Sequence, residues 1–362
     1  MSILVPQPGI MDITPYVGGE SKVPGVSRII KLASNEGALG PSAKAVEAFK
    51  AHANEIHRYP DGGCTALREA VAAKYDLDAS RIVFGAGSDE LIGLLCRAYA
   101  GAGDEVLYSE HGFLMYPIAA KSASATPVAA PEDDLTADVD QILAKVTDAT
   151  RIVFIANPNN PTGTYLPTSE MTRLRAGLPG NVLMVIDAAY AEYIDLEDYS
   201  PGTEVVEAND NVVMTRTFSK AYGLGGLRLG WAYCSTQVAD VLNRVRNPFN
   251  VSAAAQEAGL AAFADQDFVA KVKRHNDEWL PWTTKQVRKI GYEVAPSIGN
   301  FILVRFPTEE GRGGTDADDF LKARGIIVRR MGGYGLPDAL RVTIGLEDEM
   351  RAFVAVLAEF HG

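Results

Sequence analysis

Thr217-Phe218-Ser219-Lys220-Ala221-Tyr222-Gly223-Leu224-Gly225-Gly226-Leu227-Arg228-Leu229-Gly230 is the segment on which the reading of this chain turns. The apolar run Asn211-Val212-Val213-Met214 has the pattern of a strand and feeds directly into this loop of small residues. A lysine set among Ser, Gly and Leu has no partner within the segment. Burial would lower its pKa and leave the amine nucleophilic. Such an amine can hold a carbonyl cofactor covalently. The Ser219 hydroxyl and the Arg228 guanidinium flank it and suit a phosphate clamp. A Ser-Lys pair alone would read as an ordinary basic loop. The complete spacing, with its glycines and Arg228, is what points to cofactor chemistry.

Outward from this loop the chain alternates strand and helix patterns. Short apolar runs rich in β-branched residues lie at Arg81–Phe84, Glu105–Tyr108, Thr126–Ala129, Arg151–Ile155, Val182–Ile186, Val212–Thr215 and Leu229–Tyr233. Most lack a clean polar/apolar alternation, which predicts a sheet covered on both faces. Helical periods intervene at Ser88–Ala100, Tyr116–Ala123, Thr136–Lys145 and Thr168–Ala176. The fold class is therefore α/β, with a doubly wound, mostly parallel sheet. Residues 1–30 are rich in Pro and Gly without helical period and read as an arm, so 31–250 form the large unit. From 251 to 362 the pattern becomes α+β and reads as a smaller C-terminal domain. Helices are expected at Ala253–Ala264 and Asp267–Ile290, strands near Phe301–Arg305, Ile326–Arg329 and Leu340–Ile344, and a last helix at Glu347–Phe360. Gly311-Arg312-Gly313-Gly314 reads as a loop.

Composition narrows the function classes. With 362 residues and 47% hydrophobic content the chain can bury two cores. Its 34 basic and 46 acidic side chains give a net charge of −12, which argues against a nucleic-acid partner. An anionic ligand must then be held by specific arginines. Cys64, Cys96 and Cys234 have no CxxC spacing, and the five histidines do not cluster, so no metal site is expected and a cytoplasmic location is. Pro6 and Pro8 stand where a signal peptide would need an apolar run, and no stretch approaches the ~18–20 apolar residues of a membrane span.

Ligands of parallel sheets gather at the carboxyl ends of the strands, and polar or aromatic residues recur there. Ser88 and Asp89 follow the first strand, Phe113 the second, and Asn160 the fourth, within Asn157-Pro158-Asn159-Asn160-Pro161-Thr162-Gly163. Asp187 ends the fifth, with Tyr190 three residues on, and Lys220 follows the sixth. Asp187 suits a partner for a protonated pyridine nitrogen, or a helix N-cap. Asn160 and Tyr190 suit hydrogen bonds to a cofactor's phenolic oxygen; Asn160 equally suits a turn. Phe113 can stack on a ring or belong to the core. The glycine turn Gly85-Ala86-Gly87 opens a helix whose amides can cradle a phosphate.

These residues resemble the fold-type I aminotransferases, which use pyridoxal 5'-phosphate (PLP), from about Lys31 to Gly345. Within that family the histidinol-phosphate aminotransferases match best. The supporting segments are Thr14-Pro15-Tyr16, Lys31 to Glu36, Arg58-Tyr59-Pro60-Asp61, Asn157 to Gly163, the Lys220 loop, Val328-Arg329 and Leu340 to Gly345. The resemblance implies a homodimer in which Tyr59 reaches the cofactor phosphate of the partner subunit. It implies a substrate site of Tyr16, Asn35, Arg329 and Arg341, with the arginines on carboxylate or phosphate, as guanidinium geometry suits.

Two departures stand out. The family usually carries Asn-Glu-Asn-Pro where this chain has Asn35-Glu36-Gly37-Ala38, a change expected to loosen the loop near the substrate. It usually carries Asp-Glu-Ala-Tyr where this chain has Asp187-Ala188-Ala189-Tyr190, which removes a carboxylate and keeps the two residues assigned to the cofactor. The expected activity is transamination of L-histidinol phosphate with 2-oxoglutarate, Lys220 serving as covalent anchor and as proton carrier. Aromatic amino acid transamination is the next reading. A PLP lyase or decarboxylase and a non-catalytic PLP-fold protein are the others.

Overall fold

The computed structural model describes residues 4–16, 18, 20, 23–25 and 28–362. Seven strands build its main sheet: β1 (Ile82–Gly85), β2 (Glu105–Ser109), β3 (Thr126–Ala130), β4 (Thr150–Ala156), β5 (Leu183–Asp187), β6 (Val212–Thr217) and β7 (Gly230–Tyr233). Their order is β1-β7-β6-β5-β4-β2-β3, and all neighbours are parallel except β7, which runs antiparallel to both β1 and β6. The period of two along each strand splits its side chains between two cores. On β4, Val153 and Ile155 enter one and Ile152 and Phe154 the other. On β6, Val212 and Met214 are divided from Val213 in the same way. Both faces of the inner strands are dry, which is why they read as nearly continuous apolar runs, while the edge strand β3 is partly exposed.

A second sheet, of β8 (Glu293–Val294), β9 (Phe301–Arg305), β10 (Arg329–Met331) and β11 (Leu336–Thr343), is antiparallel in the order β8-β9-β11-β10. It shares a core with the helices Gln266–Ile290, Gly314–Ala323 and Glu347–His361. Ile30–Lys31 pairs in parallel with Ile326–Ile327, so the start of the chain is stitched to this C-terminal part.

Some local expectations shift. The helix expected at Thr136–Lys145 is confined to Val139–Ala144, because the Asp138 carboxylate accepts from the amides of Asp140 and Gln141 and sets its start there. Thr136–Ala137 instead pairs with Glu132–Asp133. The strand expected at Ile326–Arg329 is two, Ile326–Ile327 and Arg329–Met331. Of the Gly311–Gly314 loop, Gly314 belongs to a helix, whose first turn Asp316 closes by accepting from the Gly313 amide at 3.0 Å. Helices Ala43–Ala51, Thr65–Tyr75 and Thr236–Val245 were not among the expectations. Ser42 and Ser235 cap the first and last, a signal present in the sequence.

One buried ion pair ties two functional segments together. Arg216, on β6, donates through Nη2 to Glu192 Oε1 at 2.7 Å, with both side chains about 5% exposed. The Tyr75 and Trp231 rings lie 5.0 and 5.6 Å from its guanidinium carbon. Removing one partner of such a pair leaves the other charge desolvated and uncompensated. Glu192→Ala is expected to destabilise the protein by about 3–5 kcal/mol, measured as a drop in the denaturant midpoint; an unchanged midpoint would show that the pair does not hold these segments.

Candidate active site

The register of the main sheet sets Gly230 opposite both Gly85 and Thr217. The ends of β1 and β6 and the start of β7 therefore lie side by side at one edge. A Cβ on Gly230 would lie 2.4 Å from the Ser88 amide nitrogen, so the crossing needs a residue without a side chain. Next along the edge, Asp187 pairs with Ala156 and Thr215, which brings the turn after β4 beside the end of β5.

Lys220 stands in the loop after β6 and lines a cavity at this edge. Its Nζ donates to the Ser34 carbonyl at 3.2 Å. Burial, with the nearby Arg341 charge adding to it, holds the amine down at about 8, against an ordinary 10.5. Arg228 Nη2 meets Asp89 Oδ2 at 2.9 Å, and Nη1 donates to Ser219 Oγ at 3.3 Å and to the Gly225 carbonyl at 3.1 Å. The guanidinium passes over Gly87, where a Cβ would come within 2.3 Å of Nη2. Gly87 also has φ of +86° and directly precedes the Ser88–Tyr99 helix. Arginine, hydroxyl and helix N-terminus thus converge where an anion would sit.

Asp187 is buried and accepts from the Tyr116 hydroxyl at 3.0 Å and from the Thr215 hydroxyl at 3.3 Å. Burial pushes its carboxyl up to about 6 despite these donors. Phe113 packs edge-on to Tyr116, with ring centroids 5.9 Å apart. Asn160 accepts through Oδ1 from Arg341 Nη1, while Arg341 Nη2 donates to the Ala33 carbonyl at 2.9 Å. Arg329 lies over the Tyr16 ring, 5.7 Å from its centre. Asn35 lines the cavity, but its amide is already engaged, donating to the Tyr190 hydroxyl at 2.9 Å.

The cavity thus gathers Tyr16, Asn35, Ser88, Asp89, Phe113, Asn160, Asp187, Tyr190, Ser219, Lys220, Arg228, Arg329 and Arg341, all singled out from the sequence. Gly87 lies beneath Arg228 at its margin. Tyr59 stands apart: it is 84% exposed and stacks on Phe249, ring centroids 4.7 Å apart. Sequence reasoning missed Ser34, Glu36, Thr217 and Tyr334 on the wall, and Tyr116 beneath Asp187. Ser34, Glu36 and Thr217 lie inside segments quoted from the sequence, though no role was read for them; nothing in the sequence marked Tyr334 or Tyr116.

Gly37 corrects an expectation. Its backbone lies so close to the lysine loop that a Cβ would be 2.8 Å from the Lys220 carbonyl oxygen. Across the same contact, a Cβ on Gly223 (φ +68°) would lie 2.2 Å from the Gly40 carbonyl oxygen. The departure at position 37 permits close packing rather than a loosened loop.

The residues present fit pyridoxal phosphate. A lysine with a lowered pKa, a buried carboxylate short of a cation, a flanking aromatic ring and an anion cradle are the complements of its aldehyde, ring nitrogen, ring face and phosphate. The chain matches the family "Aminotransferase class I and II" over residues 27–357. The histidinol-phosphate aminotransferase of Paramagnetospirillum magneticum is 65% identical over 362 residues, 100% of both chains. That of Rhodospirillum centenum is 59% identical over 360 residues, 99% of both. The structure of histidinol-phosphate aminotransferase from Sinorhizobium meliloti in complex with pyridoxal-5'-phosphate aligns with a TM-score of 0.88 at 28% identity, covering 97% of this chain and 96% of that one.

The position of the Lys220 amine has a measurable sign. Only the unprotonated amine attacks a carbonyl, so capture of pyridoxal phosphate by the apoprotein is expected to speed up as pH rises. The half-point should lie near 8 rather than 10.5. A stopped-flow rate profile with its half-point near 10.5 would mean that Lys220 is not desolvated.

Proposed function

We propose, on the premise that this chain belongs to the class I and II aminotransferase family, that it transfers the amino group of L-histidinol phosphate to 2-oxoglutarate, giving imidazole acetol phosphate and glutamate. The observation that carries this reading is the pairing, in one cavity, of the Lys220–Asp187–Arg228 set with Arg329, Arg341 and Tyr16. The first group suits the cofactor; the second suits a phosphate on the substrate.

Arg228, Ser219 and the amides following Gly87 would hold the cofactor phosphate, with Ser88 and Asp89 orienting the helix start and the guanidinium. Asp187 would face the ring nitrogen, Phe113 the ring, and Asn160 and Tyr190 the ring oxygen. Bound pyridoxal phosphate supplies an electron sink that acidifies the hydrogen on the amine-bearing carbon of the substrate. Lys220 would hold the cofactor through Nζ, and its amine, when free, would be placed to accept that proton at Nζ and return it. An amine near pKa 8 is suited to both directions close to neutral pH. We assign these chemical steps to the 31–250 unit, while 251–362 contributes Arg329 and Arg341.

The aromatic lining of Tyr16, Phe113, Tyr190 and Tyr334 favours a second reading, transamination of phenylalanine or tyrosine, with Arg341 on the carboxylate. We further assign a homodimer. Tyr59 and Phe249, 84% and 45% exposed, stack on each other and form an aromatic surface that suits a second copy. From there Tyr59 would reach the partner's cofactor phosphate. Among the described residues no helix is long and apolar enough to cross a membrane. We place the enzyme in the cytoplasm, in keeping with free Cys64, Cys96 and Cys234.

Steady-state assays with 2-oxoglutarate should give parallel, ping-pong initial-rate lines, and kcat/KM should favour histidinol phosphate over phenylalanine. A preference for phenylalanine would move the function to the second reading. Lys220→Ala should lower kcat by roughly 10³-fold or more. Arg329→Gln should lower kcat/KM for histidinol phosphate by roughly 10- to 100-fold and affect phenylalanine much less; equal losses would remove Arg329 from the phosphate.

A further inference from the structure

A short hydrogen-bond chain connects the second sheet to Tyr190. Thr343, the last residue of β11, accepts from the Asn35 backbone amide at 2.9 Å and donates its own hydroxyl proton to Asn35 Oδ1 at 3.3 Å. Asn35 Nδ2 then donates to the Tyr190 hydroxyl at 2.9 Å. Thr343, Asn35 and Tyr190 are all buried, with 3%, 1% and 3% exposed.

The chain has a direction. A threonine hydroxyl carries one proton. Because Oγ1 already receives the Asn35 amide hydrogen, its own proton is free to go to Oδ1. That orients the Asn35 side chain, with oxygen toward Thr343 and nitrogen toward Tyr190. Tyr190 must therefore accept from Asn35, and its phenolic proton is not spent on it. Asn35 is the one side-chain partner of that hydroxyl among the described residues. The remaining direction is the cavity, which Tyr190 lines beside Lys220. Packing holds the ring in place: Phe301 meets Tyr190 edge-on with centroids 5.3 Å apart, and Phe301 is the register partner of Thr343 across β9 and β11. The Asn35 backbone is also fixed, in the left-handed region at φ 52°, with its carbonyl accepting from Asn300 Nδ2 at 3.2 Å.

We propose that Thr343 is a positioning residue that sets the polarity of the Thr343–Asn35–Tyr190 chain and so makes Tyr190 a hydrogen-bond donor toward the cofactor oxygen. The proposal rests on the reading that Tyr190 faces that oxygen. Without the threonine hydroxyl, the Asn35 amide can turn over and present its oxygen to Tyr190. The phenolic proton would then be drawn away from the cavity. A donor to the cofactor oxygen weakens that oxygen's hold on the proton it shares with the Lys220 nitrogen. Losing the donor should raise the pH at which the bound cofactor's visible absorbance changes form.

The test is a pH titration of that band in the PLP-loaded holoenzyme, with kcat/KM measured alongside. Thr343→Val, nearly the same shape without the hydroxyl, is expected to raise the midpoint by about one unit and to lower kcat/KM roughly tenfold. Thr343→Ser, which keeps the hydroxyl, should restore most of both. In a Tyr190→Phe background, Thr343→Val should add nothing to the midpoint. If Thr343→Val does not fold, Asn35→Asp serves, since it puts an acceptor beside Tyr190 and should move the midpoint the same way. A folded Thr343→Val protein with an unmoved midpoint, or a shift that persists in the Tyr190→Phe background, would overturn the proposal while leaving the function intact. A parent protein that forms no visible band with PLP would overturn the functional reading itself, and this proposal with it.

Discussion

Everything at the candidate site depends on one register. Gly230 lies opposite both Gly85 and Thr217, and the antiparallel strand it begins is wedged between two strands that run the other way. That arrangement places the end of β6, which leads to Lys220, beside the start of the Ser88–Tyr99 helix and beneath Arg228. A slip of one residue would turn the side chains of β7 over and carry Arg228 off Gly87. The anion cradle is thus a consequence of strand pairing. The apolar faces on both sides of the sheet are what make that pairing rigid.

The electrostatics follow from the same burial. Lys220 and Asp187 share one cavity and are displaced in opposite directions, the amine down to about 8 and the carboxyl up to about 6. Each is short of a counter-charge, and each is held short of it by side chains that the folding of the sheet brings in. The buried Arg216–Glu192 pair lies on the segments leading into and out of this pair of groups, Arg216 before Lys220 and Glu192 after Tyr190. Arg216 Nε and Glu192 Oε2 are buried without a hydrogen-bond partner among the described residues. Groups of this kind are ordinarily satisfied by internal water.

Much of this was legible in the sequence for a geometric reason. In a parallel sheet, residues far apart along the chain share an edge as soon as they share a strand end, so Ser88, Phe113, Asn160, Asp187 and Lys220 could be placed together without coordinates. The strands of the main sheet were found within a residue or two because most of them are dry on both faces. What escaped reading depends on approaches that no local pattern records. Tyr116 reaches Asp187 from a helix face, and Thr343 reaches Asn35 from the other sheet. Asn35 was expected at the substrate, but its side-chain amide is engaged by Tyr190 and Thr343. Tyr59 does not line the cavity of its own chain, so its assigned role depends on a second copy.

Gly37 and Gly223 face each other's turns, each leaving room for a carbonyl of the opposite loop. Neither loop can then drift alone. A side chain gained at 37 presses on the Lys220 carbonyl, and one gained at 223 presses on that of Gly40. Each tight approach meets backbone rather than a side chain, so no rotamer change relieves it, and the substrate loop and the lysine loop behave as one piece.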